Sequence, residues 1–98
     1  MLDLEKAKQE LAGKSINDIQ TETAWTWASR ACVSYQNSVT SQGSAKLSLW
    51  SLGLEYEHEA LEHAALVEGM DLVKEVKNQV ESYREQAASS IDELFQTP

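Results

Sequence analysis

The sequence has little of several residue types, and each shortage excludes a class of protein. Its 98 residues include one cysteine, one proline and four glycines. So few turn-forming residues exclude collagen-like repeats and argue against a turn-rich all-β fold. Cys32 has no second cysteine in the chain to pair with. No charged segment followed by an apolar one opens the sequence, so we expect a cytoplasmic protein.

Basic residues are also scarce. Eight lysines and arginines stand against sixteen acidic residues, which gives a formal charge of −8. This charge has the wrong sign for binding phosphates, and no Lys/Arg cluster offsets it, so we expect no nucleic-acid partner. No apolar run approaches the roughly 18–20 residues of a membrane span, and the polar faces are acidic, so we expect no membrane contact.

What is present is a regular supply of hydrophobic residues at helical spacing. The sequence is 42% hydrophobic and 24% charged, a balance that argues against disorder. We therefore predict one all-α domain over residues 1–98. The first helix is short, at about 3–12, where Leu4, Ala7 and Leu11 recur among charged residues.

A pair of long helices is predicted to follow. Ser15 and Asp18 have the spacing of a capping box, which predicts that a second helix begins there and covers about 15–38. A polar turn at 40–44 is so short that it forces the next helix, at about 44–68, to run antiparallel and form a helical hairpin. This third helix is apolar on two sides, as central and interface helices are. We therefore expect a second copy of the chain to complete the bundle.

Gly69 allows two interpretations. A helix C-cap followed by a new N-cap at Asp71 would put a corner here, with a last helix at about 71–95. Alternatively, one long helix runs through Gly69, because hydrophobic positions recur in steps of three or four from residue 47 to 94. We favour the corner, because helices of about fifty residues are rare and a glycine inside a helix costs on the order of 1 kcal/mol.

The last helix is predicted to pack along a narrow seam. Val73, Val80, Ala87 and Leu94 recur every seven residues, with Val76 and Tyr83 between them. This pattern suits one partner helix, from the same chain or from another. Its remaining residues, Arg84 among them, form a face of mixed charge that we predict to be solvated.

Glu55, His58 and Glu62 are the candidate metal ligands. At about 100° per residue, their spacing places all three within about 60° on one helix face. Glu-x-x-His on a bundle helix resembles the ferritin-like di-metal carboxylate proteins, and the resemblance implies iron or another divalent transition metal. The chain has one such motif, so a complete site needs two chains, each donating Glu55 and His58. The alternative is a solvated acidic face without a ligand.

The aromatic and thiol side chains are predicted to belong to the core. Trp25, Trp27 and Trp50 stand at helical spacing among small and apolar residues, where aromatic rings are usually buried. Cys32 lies on the apolar side of its helix, where a thiol acts as a small hydrophobic group with a raised pKa. Serine nucleophile elbows, glycine-rich phosphate loops and CxxC pairs are absent, so we expect no catalysis.

Two functional hypotheses follow from the sequence. The first is a small acidic helical protein that acts as an interaction or regulatory module, without catalysis or a cofactor, and forms a homo-oligomer, most simply a homodimer. The second is a carboxylate/histidine metal-binding protein whose site lies at a subunit interface. Stoichiometric metal in protein purified without chelator is expected only for the second.

Overall fold

The computed structural model describes residues 15–96, which form three α-helices. These are α1 (Ile16–Thr40), α2 (Gly43–Ala65) and α3 (Leu72–Gln96). No strand occurs within this described range, so the predicted all-α class is confirmed. The short helix predicted at about 3–12 lies outside the described residues. None of the three helices is both long and apolar enough to cross a membrane.

α1 begins at the predicted capping box. The backbone N–H of Asp18 donates to Ser15 Oγ at 3.0 Å, and the backbone N–H of Ser15 donates to the Asp18 carboxylate at 3.4 Å. The two bonds satisfy N–H groups that have no partner within the helix. At the other end, the N–H of Ser41 donates to the carbonyl of Asn37 at 3.1 Å and closes the last turn.

α1 and α2 run antiparallel and lie close together. Ser41 and Gln42 connect the helices, and Gly43 opens α2 with a φ of +60°. Ser34 Oγ donates to the backbone carbonyl of Leu49 at 2.7 Å, a contact between a short side chain and a neighbouring backbone that requires close approach. Small side chains fill the interface. The buried alanines are Ala24, Ala28 and Ala31 of α1 and Ala60 and Ala64 of α2.

Gly53 provides the space for the largest buried side chain. Tyr35 of α1 has no exposed surface, and its ring lies against the α2 backbone at Gly53. A Cβ atom on Gly53 would be 2.5 Å from Tyr35 Cε1, closer than real side chains approach. Trp50 lies beside the same ring, with 5.4 Å between the centroids. The glycine is therefore a packing requirement within α2.

The chain turns between α2 and α3, as the favoured interpretation of Gly69 predicts. Gly69 has a φ of +86°, in the left-handed region that glycine adopts without strain. Asn17 of α1 holds the corner, since its Nδ2 donates to the Glu68 carbonyl at 3.1 Å and its Oδ1 accepts from the Glu68 N–H at 3.2 Å. The Asp71 carboxylate accepts from the N–H of Lys74 at 3.1 Å and caps α3.

α3 packs against both other helices along one face. Leu72, Val76, Val80 and Ala87 are its buried side chains. The predicted seam is correct at Val76, Val80 and Ala87, whereas Val73, Tyr83 and Leu94 are half-buried. The face is shifted because α3 lies in the groove of a helix pair, and contact with two helices buries a wider stripe than contact with one.

The three tryptophans are not in the core, contrary to the sequence prediction. Trp25, Trp27 and Trp50 are each half-buried against its edge. The alanines and Gly53 bring the α1 and α2 backbones so close that no space for an indole remains between them. The core therefore consists of small and medium side chains, and the large rings lie at the sides of the interface.

Candidate functional site

The predicted metal ligands lie on the outer surface of α2. His58 Nε2 is 2.8 Å from Glu62 Oε1, and the two side chains are 71% and 59% exposed. Glu55 is also exposed. Within residues 15–96, no three His, Cys, Asp or Glu side chains are grouped so that they could hold a metal ion. The structure thus pairs His58 with Glu62, and metal binding by Glu55, His58 and Glu62 stays a prediction.

The second histidine has a structural contact. His63 Nδ1 of α2 lies 2.6 Å from Gln20 Oε1 of α1. This hydrogen bond joins the first turns of α1 to the last turns of α2, near the Asn17 contact with Glu68. His63 therefore belongs to the polar contacts that hold the two helices in register.

A buried ionic cluster is the most unusual feature of the interior. Glu57 of α2 is only 7% exposed. Tyr35 Oη of α1 donates to Glu57 Oε1 at 2.8 Å, and Arg84 Nη1 of α3 donates to Glu57 Oε2 at 2.5 Å. One side chain from each helix thus meets at this carboxylate. Both oxygens of the buried acid have a donor, as a buried charge requires.

The cluster fixes the protonation of the phenol. Burial, followed by the hydrogen bond to Glu57 and its negative charge, raises the pKa of Tyr35 far above its usual value. Tyr35 is therefore the donor toward the carboxylate at any ordinary pH. Burial, and then the charge of Glu57, also raises the pKa of the Cys32 thiol, as the sequence predicted for a thiol on the apolar side of α1.

A second polar tie surrounds Lys46, which is also 7% exposed. Its Nζ donates to the carbonyls of Ser38 at 2.9 Å and Val39 at 3.0 Å, and to Ser90 Oγ of α3. Carbonyls in the last turn of a helix have no partner within it, and a cation is favourable there. Lys46 therefore caps α1 and binds α3 at the same time.

The sequence did not predict the contacts of Glu57 or those of Lys46. Arg84 was predicted to be solvated, but its guanidinium reaches the interior and contacts Glu57. The sequence does contain one indication of these buried contacts, in a row of α2 residues of mixed polarity. Steps of four and three connect Lys46, Trp50, Gly53, Glu57, Ala60 and Ala64, and this row faces the core. It contains a lysine, a glycine and a glutamate. Two other stripes of α2 are more apolar, so hydrophobic periodicity alone does not identify this row as the core face.

The outer side of the helix pair carries a groove of about 400 Å³, which we call the α1–α2 groove. Val33, 54% exposed, stands at its edge. Tyr56 connects the groove to Trp27, with 5.5 Å between the ring centroids, and the Arg30 guanidinium lies 4.9 Å from the Trp27 ring. The groove is lined by Ser29, Arg30, Val33, Ser34, Asn37, Leu49, Leu52 and Tyr56.

This side of the molecule has almost no charge. Between Glu22 and Glu55, the Asp, Glu, Lys, Arg and His residues are only Arg30 and Lys46. Because Lys46 is buried, Arg30 is the one exposed charge of that stretch. The carboxylates of the described chain are concentrated elsewhere, on the second half of α2 and on α3. A protein of charge −8 thus has a stretch with little charge, residues 23–54, which covers α1 after Glu22 and the first half of α2.

Comparison with known proteins gives no assignment. No family model, no curated protein and no solved structure matches this chain.

Proposed function

We propose that this protein is a non-catalytic helical module that self-associates through the α1–α2 groove. The observation that carries the proposal is the group of Trp27, Arg30 and Tyr56, which lie together at the α1–α2 groove. The groove lining contains no carboxylate. On their other side, Trp27 and Tyr56 face Glu55 and Glu59. Aromatic rings that stay half-buried in one chain still have apolar area to remove from water. A partner in the groove would bury that area.

The composition of the groove supports this proposal. The central parts of protein–protein interfaces are poor in charge and rich in aromatic residues and arginine, whereas the surrounding surface is polar. Trp, Tyr and Arg are also the residues that most often dominate binding energy. Trp27, Arg30 and Tyr56 are one of each. Leu49, Leu52 and Val33 supply the apolar contacts around them.

The charge distribution favours a second copy of the chain as the partner. Two copies carry −8 each, so most pairs of their surfaces repel. The groove is where two identical chains can approach without opposing carboxylates, and a two-fold axis would let each chain present the same patch to the other. The small side chains of the core give a further reason, since a modest core gains most from area buried between chains.

We propose a non-catalytic role because of the contacts that Glu57 makes. It is the one buried carboxylate among residues 15–96. Its two oxygens accept hydrogen bonds from Tyr35 and Arg84, which fits a role in holding the three helices together. A general acid or base would instead need an oxygen that faces a substrate.

Sedimentation equilibrium over a concentration series tests the proposal. Wild-type protein is expected to dimerise at micromolar concentration, and Val33→Glu, which adds a carboxylate at the groove, is expected to weaken the dimer at least about tenfold. Gln86→Glu adds the same charge at an exposed position of α3 and serves as the matched control. It should leave dissociation unchanged within about threefold.

Two results would overturn the proposal. One is a wild-type chain that stays monomeric up to about 100 μM, since a dissociation constant weaker than that leaves little specific interface. The other is a Val33→Glu dimer as stable as the wild-type dimer, which would place the contact outside the groove.

A further inference from the structure

The corner between α2 and α3 has the sequence of a helix. A row that is apolar except at His58 and Gly69 steps by three or four residues from α2 through the corner into α3. In α2 the members of this row are exposed or half-buried, and in α3 they include the buried stripe. Residues 66–71 contain no proline, and Gly69 is the residue among them with the lowest helix propensity. The row runs through Leu47, Trp50, Leu54, His58, Leu61, Ala65, Gly69, Leu72, Val76, Val80, Tyr83, Ala87, Ile91 and Leu94.

Few contacts hold the corner in its turned form. Gly69 is exposed, and nothing lies within 4 Å of where its Cβ would be. Leu66 and Met70 are 60% and 50% exposed, and Val67 is the one buried side chain of residues 66–71. The hydrogen bonds that cross to another helix are the two between Asn17 and the Glu68 backbone. Both lie at the surface, where water can replace them.

The contacts that hold α3 on the helix pair are specific and can be made again. They consist of a stripe of buried apolar side chains and two polar ties, from Arg84 to Glu57 and from Lys46 to Ser90. The α3 helix of a second copy carries the same stripe and the same two polar groups. It would fit the same site with the same hydrogen bonds, because exchange of an identical element between two chains preserves its contacts outside the hinge.

We propose that the corner opens, that α2 and α3 join into one helix through Gly69, and that two copies exchange α3. In this exchanged dimer, Glu57 of one chain binds Arg84 of the other. On opening, Gly69 leaves the left-handed conformation. Leu66 and Met70 then lie where the two long helices cross, and their exposed apolar surface becomes contact area between the chains. The exchange uses inner surfaces and does not depend on the α1–α2 groove.

Gly69→Ala is the first test. Alanine disfavours the positive φ of the corner and favours a continuous helix, so both effects drive the chain toward the exchanged dimer. We expect its dimer dissociation constant to fall at least about tenfold. Gly43→Ala is the matched control, since Gly43 also has a positive φ, +60°, and open space around its Cβ position. Gly43 stands between the polar residues Gln42, which precedes it, and Lys46, one turn after it. No apolar row like the one at Gly69 runs through this corner, so we expect no exchange.

Both variants are measured in a Val33→Glu background. That substitution weakens association through the groove equally in every variant, so a lower dissociation constant of Gly69→Ala/Val33→Glu than of Val33→Glu alone reports exchange. If Gly69→Ala/Val33→Glu sediments as a monomer at about 100 μM, the proposed exchange is wrong. The groove proposal is judged separately, from Val33→Glu in the otherwise wild-type chain.

Complementation is the second test, and it does not depend on Gly69. Chains with Arg84→Glu place two carboxylates together, and chains with Glu57→Arg place two guanidinium groups together, so each is destabilised alone. After the two are unfolded and refolded together, an exchanged heterodimer unites the native Glu57 with the native Arg84. With Val33→Glu in both chains to weaken the groove contact, we expect a 1:1 heterodimer by native mass spectrometry and a melting temperature above that of either variant. A mixture that melts as the sum of its components would overturn the proposal.

Discussion

The inner and outer sides of the α1–α2 pair differ in a way that reverses the usual distribution of charge. The inner side, toward α3, contains a buried glutamate and a buried lysine. The outer side exposes Val33 and half-exposes Trp27 and Tyr56, and Arg30 is the one charged residue in the lining of its groove. Every inner charge has a partner within the chain, whereas the outer rings of Trp27 and Tyr56 contact each other but stay half-exposed to water. The inner side therefore specifies the fold of one chain, and we propose that the outer side makes the contact between chains.

The largest effect is expected from Glu57→Ala, which removes the acceptor of Tyr35 and Arg84. Breaking a buried ion pair costs about 3–5 kcal/mol, and the lower value applies here because the Arg84 side chain is one-third exposed. Chemical denaturation measures the loss. Glu55→Ala, an exposed carboxylate on the same helix, should change stability by no more than about 0.5 kcal/mol. Equal losses for the two variants would show that Glu57 is not specially placed.

Gly53→Ala is expected to come second. The added methyl group overlaps the Tyr35 ring, and overpacking costs about 1–3 kcal/mol, offset by about 1 kcal/mol of improved helix propensity. We therefore expect a net loss of about 1–2 kcal/mol. In a Tyr35→Leu background the ring is absent, and the same substitution should be neutral or stabilising. A loss that persists without the ring would mean that close helix approach, and not Tyr35, excludes the side chain.

Tyr35→Phe should cost about 1 kcal/mol near neutral pH, since it removes one hydrogen bond to Glu57. The folded pKa of Tyr35 is raised by burial and by Glu57, so its contribution is fully present below the unfolded pKa of about 10 and is lost as pH rises above it. Above pH 10, wild-type stability should therefore fall relative to Tyr35→Phe by about 1.4 kcal/mol per pH unit. Denaturation at pH 9 and pH 11 measures it, and parallel stabilities of the two proteins would contradict it.

A substitution on the outer side should affect association between chains more than the stability of one chain. Arg30→Ala is expected to leave the stability of the monomer within about 0.5 kcal/mol, because Arg30 is exposed. It should weaken the dimer by about 0.5–1 kcal/mol through loss of the contact with Trp27. Sedimentation equilibrium and denaturation of the same samples separate the two effects. A change in stability without a change in association would assign Arg30 to the fold.

The smallest effect is expected at the predicted metal ligands. His58→Ala removes an exposed pair with Glu62 and should change stability by no more than about 0.5 kcal/mol. Metal analysis of protein purified without chelator gives the decisive comparison. We expect no stoichiometric metal. One ion per dimer that is lost in both Glu55→Ala and His58→Ala would instead support a carboxylate/histidine site shared between chains.

Local signals in the sequence predicted much of the fold, because they act over a few residues. Ser15 and Asp18 form their capping box wherever the chain places them, and Gly69 permits the corner by its own conformational freedom. The interior was harder to predict. Glu57 and Arg84 are 27 residues apart, and nothing local distinguishes a carboxylate that meets a buried guanidinium from one that faces water.

The tryptophans were misplaced for a related reason. Their apolar character predicts burial, but the available space depends on how closely α1 and α2 approach, which is set by Gly53 and by alanines on both helices. Large residues are expected inside only where the backbones leave room for them. The sequence therefore did not predict the groove. The low charge of the stretch between Glu22 and Glu55 is nevertheless visible in the sequence.

The exposure of Trp27 as a function of protein concentration tests the central claim most directly. Trp25→Phe/Trp50→Phe leaves Trp27 as the one tryptophan, and iodide quenching of its fluorescence measures its contact with solvent. If a second copy covers the α1–α2 groove, quenching should decrease as concentration rises through the dimer dissociation constant, and Val33→Glu should stay fully quenched throughout. Quenching of Trp27 that is independent of concentration while the chain dimerises would contradict the account.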